Sequence, residues 1–117
     1  MLPKNLRLTK KSAFAATYRV KHSCYCRGVA LFAGLPKKNP EDITRAGFVV
    51  SKKTHKRAVK RNRLKRLIRE NYRLLLKDED VGNSQKYMSI IFVGYEKAIG
   101  KSFAEIGAIV KKLLGEI

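Results

Sequence analysis

Hydrophobic and polar residues follow a helical period most clearly through residues 52–73, KKTHKRAVKRNRLKRLIRENYR, and the leucines after them. Apolar or neutral side chains recur there three and four positions apart, which is typical of a helix that packs on a core. The positions on this side are Leu64, Leu67, Ile68, Asn71, Leu74 and Leu75. The pattern predicts a long helix with one buried side.

Two other segments have helical character. Thr9 can cap a helix over residues 10–20, and Ser102 with Glu105 has the spacing of a capping box that opens a last helix to about residue 114. The first of these helices has a stripe of small apolar residues at Ala13, Ala16 and Val20. We expect that stripe to pack closely on a neighbouring element.

Three segments are typical of strands. Residues 25–33 (YCRGVALFA) and 44–52 (TRAGFVVSK) are rich in β-branched and aromatic residues, and the loop GLPKKNPED between them ends both strands. The simplest interpretation is an antiparallel hairpin. Residues 87–95 (YMSIIFVGY) are apolar throughout and predict a central strand.

These elements predict an α+β fold in one domain of 117 residues, with a small sheet packed with three helices in the order α-β-β-α-β-α. The residues before the first helix would form a basic, extended arm. The second strand, the long helix and the last strand would form a crossover if the two strands are parallel. Such crossovers are right-handed as a general rule.

Charge adds a function to this outline. The net charge is +18, from 27 Lys and Arg against 9 Asp and Glu, and an excess of that size indicates nucleic acid or an anionic membrane as partner. On the long helix the polar side holds Asn62, Lys65, Arg66, Arg69 and Arg73, with Arg61 and Arg63 at its edges. A rigid row of guanidinium groups suits phosphates, so we interpret this segment as a nucleic-acid-binding helix.

A membrane is the weaker choice of partner. No apolar run approaches the ~20 residues that a membrane-spanning helix needs. The first residues, MLPKNLRLTKK, lack the apolar centre of a signal peptide. We expect a soluble, intracellular protein.

Phe14 and Tyr18 form an aromatic pair one helical turn apart, flanked by lysines. Such a pair can stack on the bases of a single-stranded nucleic acid while the lysines contact its backbone. The same spacing is equally compatible with two ordinary core residues. Both interpretations stay open at this point.

Metal and catalytic chemistry have little support. Cys24 and Cys26, even with His22, fall short of a zinc ligand set, so free thiols of a reducing compartment are expected. The acidic residues 78–80 are consecutive and cannot easily converge on one ion. His22 and His55 are far apart in the chain, and each lies beside a lysine. A self-sufficient nuclease is therefore disfavoured.

The residues resemble a known family. VSKK at residues 50–53 followed by RNRLKRLIRE at residues 61–70 is similar to the signature of the bacterial ribonuclease P protein subunit. The similarity extends to RLTKKSAF before the first helix, to the aromatic pair, and to Arg27 with Phe32. It covers nearly the whole chain. Two departures are that Tyr18 stands where Phe is frequent, and that the turn THKR at residues 54–57 has no Gly.

The resemblance implies a protein that binds a large catalytic RNA and the 5′ leader of precursor tRNA, and so promotes endonucleolytic removal of the leader. The residues implied for the catalytic RNA are Arg61, Asn62, Arg63, Lys65, Arg66 and Arg69, with Lys52 and Lys53, which also lie near the edge of the leader cleft. Those implied for the leader, between the first helix and the sheet, are Phe14, Tyr18, Phe32, Val49 and Ser51.

The resemblance also implies that the RNA performs the hydrolysis with Mg²⁺ that it holds itself, so the protein needs no catalytic residue and no cofactor of its own. It implies an unusual left-handed crossover and a cytoplasmic location. Neither DNA nor a membrane is expected as a partner. The rival functions are a ribosomal or RNA-chaperone protein, which should not prefer a leader, and a DNA-binding protein, for which no paired helix-turn-helix or dimerisation heptad is found.

Overall fold

A mixed sheet of four strands separates one helix from two others. The computed structural model describes residues 2–117, so Met1, the first residue of the predicted basic arm, lies outside the described part. The elements are α1 (Lys11–Arg19), β1 (His22–Cys26), β2 (Val29–Ala33), β3 (Arg45–Val49), α2 (Ala58–Lys77), β4 (Ser89–Gly94) and α3 (Phe103–Glu116). This confirms the α+β class with a small mixed sheet and three helices, and adds one strand to the predicted order.

The strand order is β1-β2-β4-β3. Strand β2 is antiparallel to both of its neighbours, β1 and β4, and β3 is parallel to β4. The predicted hairpin between residues 25–33 and 44–52 is therefore wrong, because β4 lies between those strands. Ile90, Ile91 and Phe92 of β4 are fully buried, so this strand needs a neighbour on both edges and a helix on both faces. The predicted central strand is confirmed.

The predicted strand at residues 25–33 is broken by a tight turn. Arg27 and Gly28 have φ angles of 43° and 97°, the two positive values that a two-residue hairpin turn requires. The turn pairs β1 with β2 and places Tyr25 opposite Ala30. A Cβ atom at Gly28 would lie 2.6 Å from the backbone nitrogen of Ala98, so glycine is required there for space as well as for conformation.

The main core lies between the sheet and the layer formed by α2 and α3. Its centre is aromatic: the rings of Phe48 and Phe92 are stacked at 5.6 Å, and Tyr72 lies 5.5 Å from Phe92. The predicted buried side of α2 is confirmed for Leu64, Ile68 and Asn71. Tyr72 also belongs to it, although the sequence pattern did not include it.

The β3-α2-β4 segment forms the crossover unit that parallel pairing requires. Its left-handed sense stays a prediction from the family resemblance. The chain before α1 is also ordered by packing: Leu2 is fully buried, and the backbone nitrogen of Leu8 donates to the carbonyl of Ala46 at 2.8 Å. The predicted extended arm therefore lies along the edge strand β3 and contains a 3-10 turn at Lys4–Leu6.

α1 packs on the opposite face of the sheet, against β2 and β4. It begins after Lys10, and no side chain caps it, so the predicted cap at Thr9 is wrong. The predicted stripe of Ala13, Ala16 and Val20 is not buried either, since Ala16 is exposed and the other two are partly exposed. Thr17 is the buried residue, because its hydroxyl is satisfied by the carbonyl of Ala13 at 2.8 Å and the hydroxyl of Ser89 at 2.6 Å.

The capping box of α3 is confirmed. The nitrogen of Glu105 donates to Ser102 Oγ at 3.2 Å, and the nitrogen of Ser102 donates to Glu105 Oε1 at 3.1 Å. These hydrogen bonds hold the pKa of the Glu105 carboxyl below its usual value.

No helix in residues 2–117 combines the length and the apolarity that crossing a membrane would require.

Asn71 joins the two helices of the core layer. Its Nδ2 donates to the carbonyls of Leu67 at 2.9 Å and Phe103 at 3.1 Å, while a Cβ atom at Gly107 would lie 2.6 Å from Asn71 Oδ1. The helices therefore approach closely at Gly107, with an amide filling the contact.

We expect Asn71→Leu to lower the free energy of unfolding by about 1–3 kcal/mol, because leucine removes both hydrogen bonds and crowds Gly107. Asn62→Leu is the matched control, since Asn62 is exposed on the same helix. Urea unfolding of both variants checks this expectation. Equal midpoints for the two variants would contradict it.

Candidate nucleic-acid interface

The basic face of α2 lies opposite the helix side that enters the core. Asn62, Arg63 and Arg66 are exposed, and Lys65 and Arg69 are partly exposed. Leu64 and Ile68 anchor the other side at 2 % and 1 % exposure. The structure thus brings these five of the residues predicted for the catalytic RNA together on one rigid surface, while their role stays a prediction.

Two of the predicted arginines also have structural contacts. Arg61 Nη1 donates to the carbonyl of His55 at 2.6 Å, and Arg63 Nη1 donates to the carbonyl of Lys101 at 3.4 Å. Arg61 therefore ties the start of α2 to the loop before it. Arg63 borders a cavity of about 210 Å³ between α2 and the segment after β4.

Arg73 is less available for phosphate than its place in the row indicated. Its Nε and Nη2 donate to Glu70 Oε1 at 2.8 and 2.5 Å. This hydrogen-bonded pair lowers the pKa of the Glu70 carboxyl and raises that of the arginine. The positive potential is therefore concentrated in the first half of α2, away from this pair.

The loop between β3 and α2 presents Lys52 and Lys53 to solvent. It is a turn in which the nitrogen of Thr54 donates to the carbonyl of Ser51 at 3.0 Å. The nitrogen of Arg57 donates to His55 Nδ1 at 3.0 Å, which orders residues 54–57 without glycine. The two lysines consequently lie between the end of β3 and the start of the basic helix.

The surface where the leader is predicted to bind, here called the leader cleft, lies where α1 crosses the sheet. Phe14 packs over β3 at Gly47, where a Cβ atom would come within 2.6 Å of the phenyl ring. Tyr18 makes an edge contact with Phe32 of β2, with ring centroids 5.0 Å apart. Both aromatic residues therefore pack on the sheet, and both keep an accessible part, with Tyr18 36 % exposed. The interpretation as core residues is therefore confirmed in part, and the interpretation as a base-stacking pair stays a prediction.

The floor of this leader cleft continues toward the C-terminal ends of β3 and β4. Val49 lies directly beside Val93, and both are partly exposed. Ser51 follows in the exposed turn beyond β3. Of the five residues predicted for the leader, Phe14, Tyr18 and Phe32 thus lie over the middle of the sheet, and Val49 and Ser51 extend this surface to the end where α2 begins.

Sequence reasoning missed three residues of this surface. Val93 belongs to the floor, and Tyr25 and Tyr95, with ring centroids 6.2 Å apart, continue it beyond Tyr18. Burial, with a smaller contribution from Tyr95, raises the pKa of the Tyr18 phenol. On one continuous strand, residue 25 would face away from Phe32. The hairpin turn reverses this, and the Arg27-Gly28 step was the available signal.

The cysteines have no site character. Cys24 Sγ donates to the carbonyl of Leu113 at 3.6 Å, and burial, followed by the charge of Glu116, raises the pKa of this thiol to about 11. Both cysteines are free thiols, as predicted. Within residues 2–117, no group of three or more His, Cys, Asp or Glu side chains is arranged to hold a metal ion.

Comparison with known proteins decides the family. The family model described as Ribonuclease P matches residues 2–117. The chain belongs to the ribonuclease P protein family. It is 34 % identical to the ribonuclease P protein component of Clostridium kluyveri, over 92 % of this chain and 90 % of that one. It is 33 % identical to the protein component of Clostridium novyi, over 97 % and 94 % of the two chains.

The fold agrees with the same family. The RNase P protein of Staphylococcus aureus superposes with a TM-score of 0.74 at 28 % identity, covering 93 % of this chain and 92 % of that one. The resemblance found from VSKK and RNRLKRLIRE is therefore confirmed. This chain is a protein subunit of ribonuclease P.

Proposed function

We propose that this ribonuclease P protein binds the catalytic RNA through the basic face of α2 and holds the 5′ leader of precursor tRNA in the leader cleft. The observation that carries the proposal is that Val49 and Ser51 extend the leader cleft to the end of the sheet where the basic helix begins. Lys52 and Lys53 lie between the two surfaces, so the leader and the catalytic RNA would be bound side by side on the protein.

The chemistry of each surface fits its proposed ligand. Exposed guanidinium groups on a rigid helix neutralise phosphates and release counterions, which supplies affinity without sequence preference. The partly exposed rings of Phe14 and Tyr18 offer stacking positions to unpaired bases. Each stacked base contributes ~1–3 kcal/mol, enough for roughly a tenfold or larger preference for substrate over leaderless product.

In this proposal the RNA performs the hydrolysis with Mg²⁺ ions that it holds, and the protein positions the leader and reduces phosphate repulsion. The protein acts in the cytoplasm as one subunit of the endonuclease. It removes the leader from precursor tRNA only together with the RNA.

The decisive experiment is cleavage of a leader-bearing precursor tRNA at low magnesium. It compares the protein alone, a bacterial ribonuclease P RNA alone and the two together. We expect activity only in the mixture. Cleavage by the protein alone would show that the protein, and not the RNA, is the catalyst. The absence of stimulation with a matched RNA would favour a general RNA-binding protein.

We expect Phe14→Ala combined with Tyr18→Ala to weaken binding of precursor tRNA by about tenfold or more, because two stacking surfaces are lost. Mature tRNA should bind as before. The measurement is the dissociation constant of each tRNA from the reconstituted holoenzyme. Phe103→Ala is the control, since Phe103 is 43 % exposed on α3, away from the cleft. Equal loss of affinity for both tRNAs would contradict binding of the leader in the cleft.

We expect Arg66→Ala to weaken assembly of the protein with the catalytic RNA. Because one phosphate contact is lost, the slope of log affinity against log salt should fall by about one. Titration of labelled RNA at several salt concentrations checks this. Lys112→Ala on α3 removes the same charge from an exposed helical position that is not on this face. An unchanged slope for Arg66→Ala would place the RNA contact elsewhere.

A further inference from the structure

α1 divides one face of the sheet into two grooves. The leader cleft lies on one side, at the C-terminal ends of β3 and β4. On the other side, at the N-terminal ends of the same strands, lies a second groove with a basic half and an apolar half. We propose that this distal groove binds unpaired nucleotides of the leader upstream of those in the cleft, an inference that rests on the proposed function.

The basic half of the distal groove has a volume of about 300 Å³. Its cationic lining residues are Lys4, Arg7, Lys10 and Arg45, and no acidic residue lines it. Lys4, Lys10 and Arg45 are exposed. Within residues 2–117, none of the four makes a salt bridge. Charges gathered in this way attract a polyanion.

The apolar half adjoins the basic half and has a volume of about 280 Å³. Leu35 and Met88 line it and remain 62 % and 46 % exposed, so apolar surface in this half is open to a ligand. The paired hydroxyls of Thr17 and Ser89 lie at its wall. Arg45 lines both halves, so a base in the apolar half would have its phosphate beside a guanidinium group.

Charge complementarity selects the occupant. A second copy of this chain would bring its own +18 charge and the same cations against the groove, which opposes self-association. Single-stranded RNA supplies both a phosphate for the basic half and a planar base for the apolar half. A base-paired segment would keep its bases out of the apolar half.

Continuity with the leader cleft favours the leader over the catalytic RNA. Leu8 and Ala13 line the distal groove, and Leu8 also lies beside Gly47, the residue on which Phe14 packs. The cleft and the groove therefore meet at the first turn of α1. A strand leaving the cleft past Phe14 would enter the groove between Lys10 and Arg45.

The test measures the affinity of reconstituted holoenzyme for precursor tRNAs that differ only in leader length. A leader of about 5 nucleotides is near the lower end, and one of about 20 nucleotides is beyond the upper end, of the roughly 4–16 nucleotides that a single-strand-binding domain covers. The native protein should bind the long leader more tightly. Lys4→Ala with Arg45→Ala should lower the affinity for the precursor tRNA with the long leader about three- to tenfold. The affinity for the precursor tRNA with the short leader should not change.

Leu35→Ser tests the apolar half and should likewise lower the affinity only for the precursor tRNA with the long leader. Lys111→Ala with Lys112→Ala is the charge-matched control, because both lysines are exposed on α3 in the opposite layer. It should leave the gain from leader length intact.

Three results would overturn the proposal. The native protein could show no gain in affinity from leader length, or Lys4→Ala with Arg45→Ala could lower the affinity for both precursor tRNAs equally. The third is that this double variant assembles more weakly with the catalytic RNA in the absence of substrate. The last result would assign the groove to the catalytic RNA. Phe14→Ala with Tyr18→Ala, measured on the short leader, reports on the cleft separately. Failure of the cleft and failure of the distal groove are therefore distinguishable.

Discussion

The burial of β4 between β2 and β3 is the constraint on which the rest of the structure depends. A strand whose Ile90, Ile91 and Phe92 are fully buried must be paired on both edges and covered on both faces. The α2–α3 layer covers one face and α1 covers the other. Because β3 runs parallel to β4, their C-terminal ends coincide, and α2 starts from that same end. The strand that fills the core therefore also brings the leader cleft next to the basic helix.

The long helix is electrostatically unfavourable for its own stability. Its first turn contains no acidic residue and no side-chain cap, and the acidic residues 78–80 follow its other end. The helix dipole favours the opposite arrangement, with acids at the N-terminus and bases at the C-terminus. Packing of Leu64, Ile68 and Tyr72 in the core offsets this cost. The surplus of cations at the N-terminal half agrees with the phosphate binding that we propose, since an anion placed there would interact favourably with both the side chains and the dipole.

The surfaces that we propose for RNA binding in this ribonuclease P protein also contribute to its packing. Phe14 and Tyr18 dock α1 on the sheet and still present ring surface to solvent, while Arg61 holds the loop before α2 and carries charge. Removal of such residues affects both packing and binding, which is why matched exposed controls are needed to separate the two. The distal groove differs in this respect, because its cations are mostly exposed and only lightly involved in packing.

The sequence by itself determined the elements whose signals are local. Periodicity located α2 and its buried side, the spacing of Ser102 and Glu105 located the start of α3, and VSKK with RNRLKRLIRE identified the family. Only the tertiary structure decided which strands pair, because pairing depends on contacts between residues distant in the chain and leaves no periodic trace. The insertion of β4 between β2 and β3 and the contact of Tyr25 with Tyr95 are both of this kind. Thr17 rather than the alanine stripe became the buried residue of α1 for the same reason: its hydroxyl partner, Ser89, lies on a strand that the sequence pattern could not place beside it.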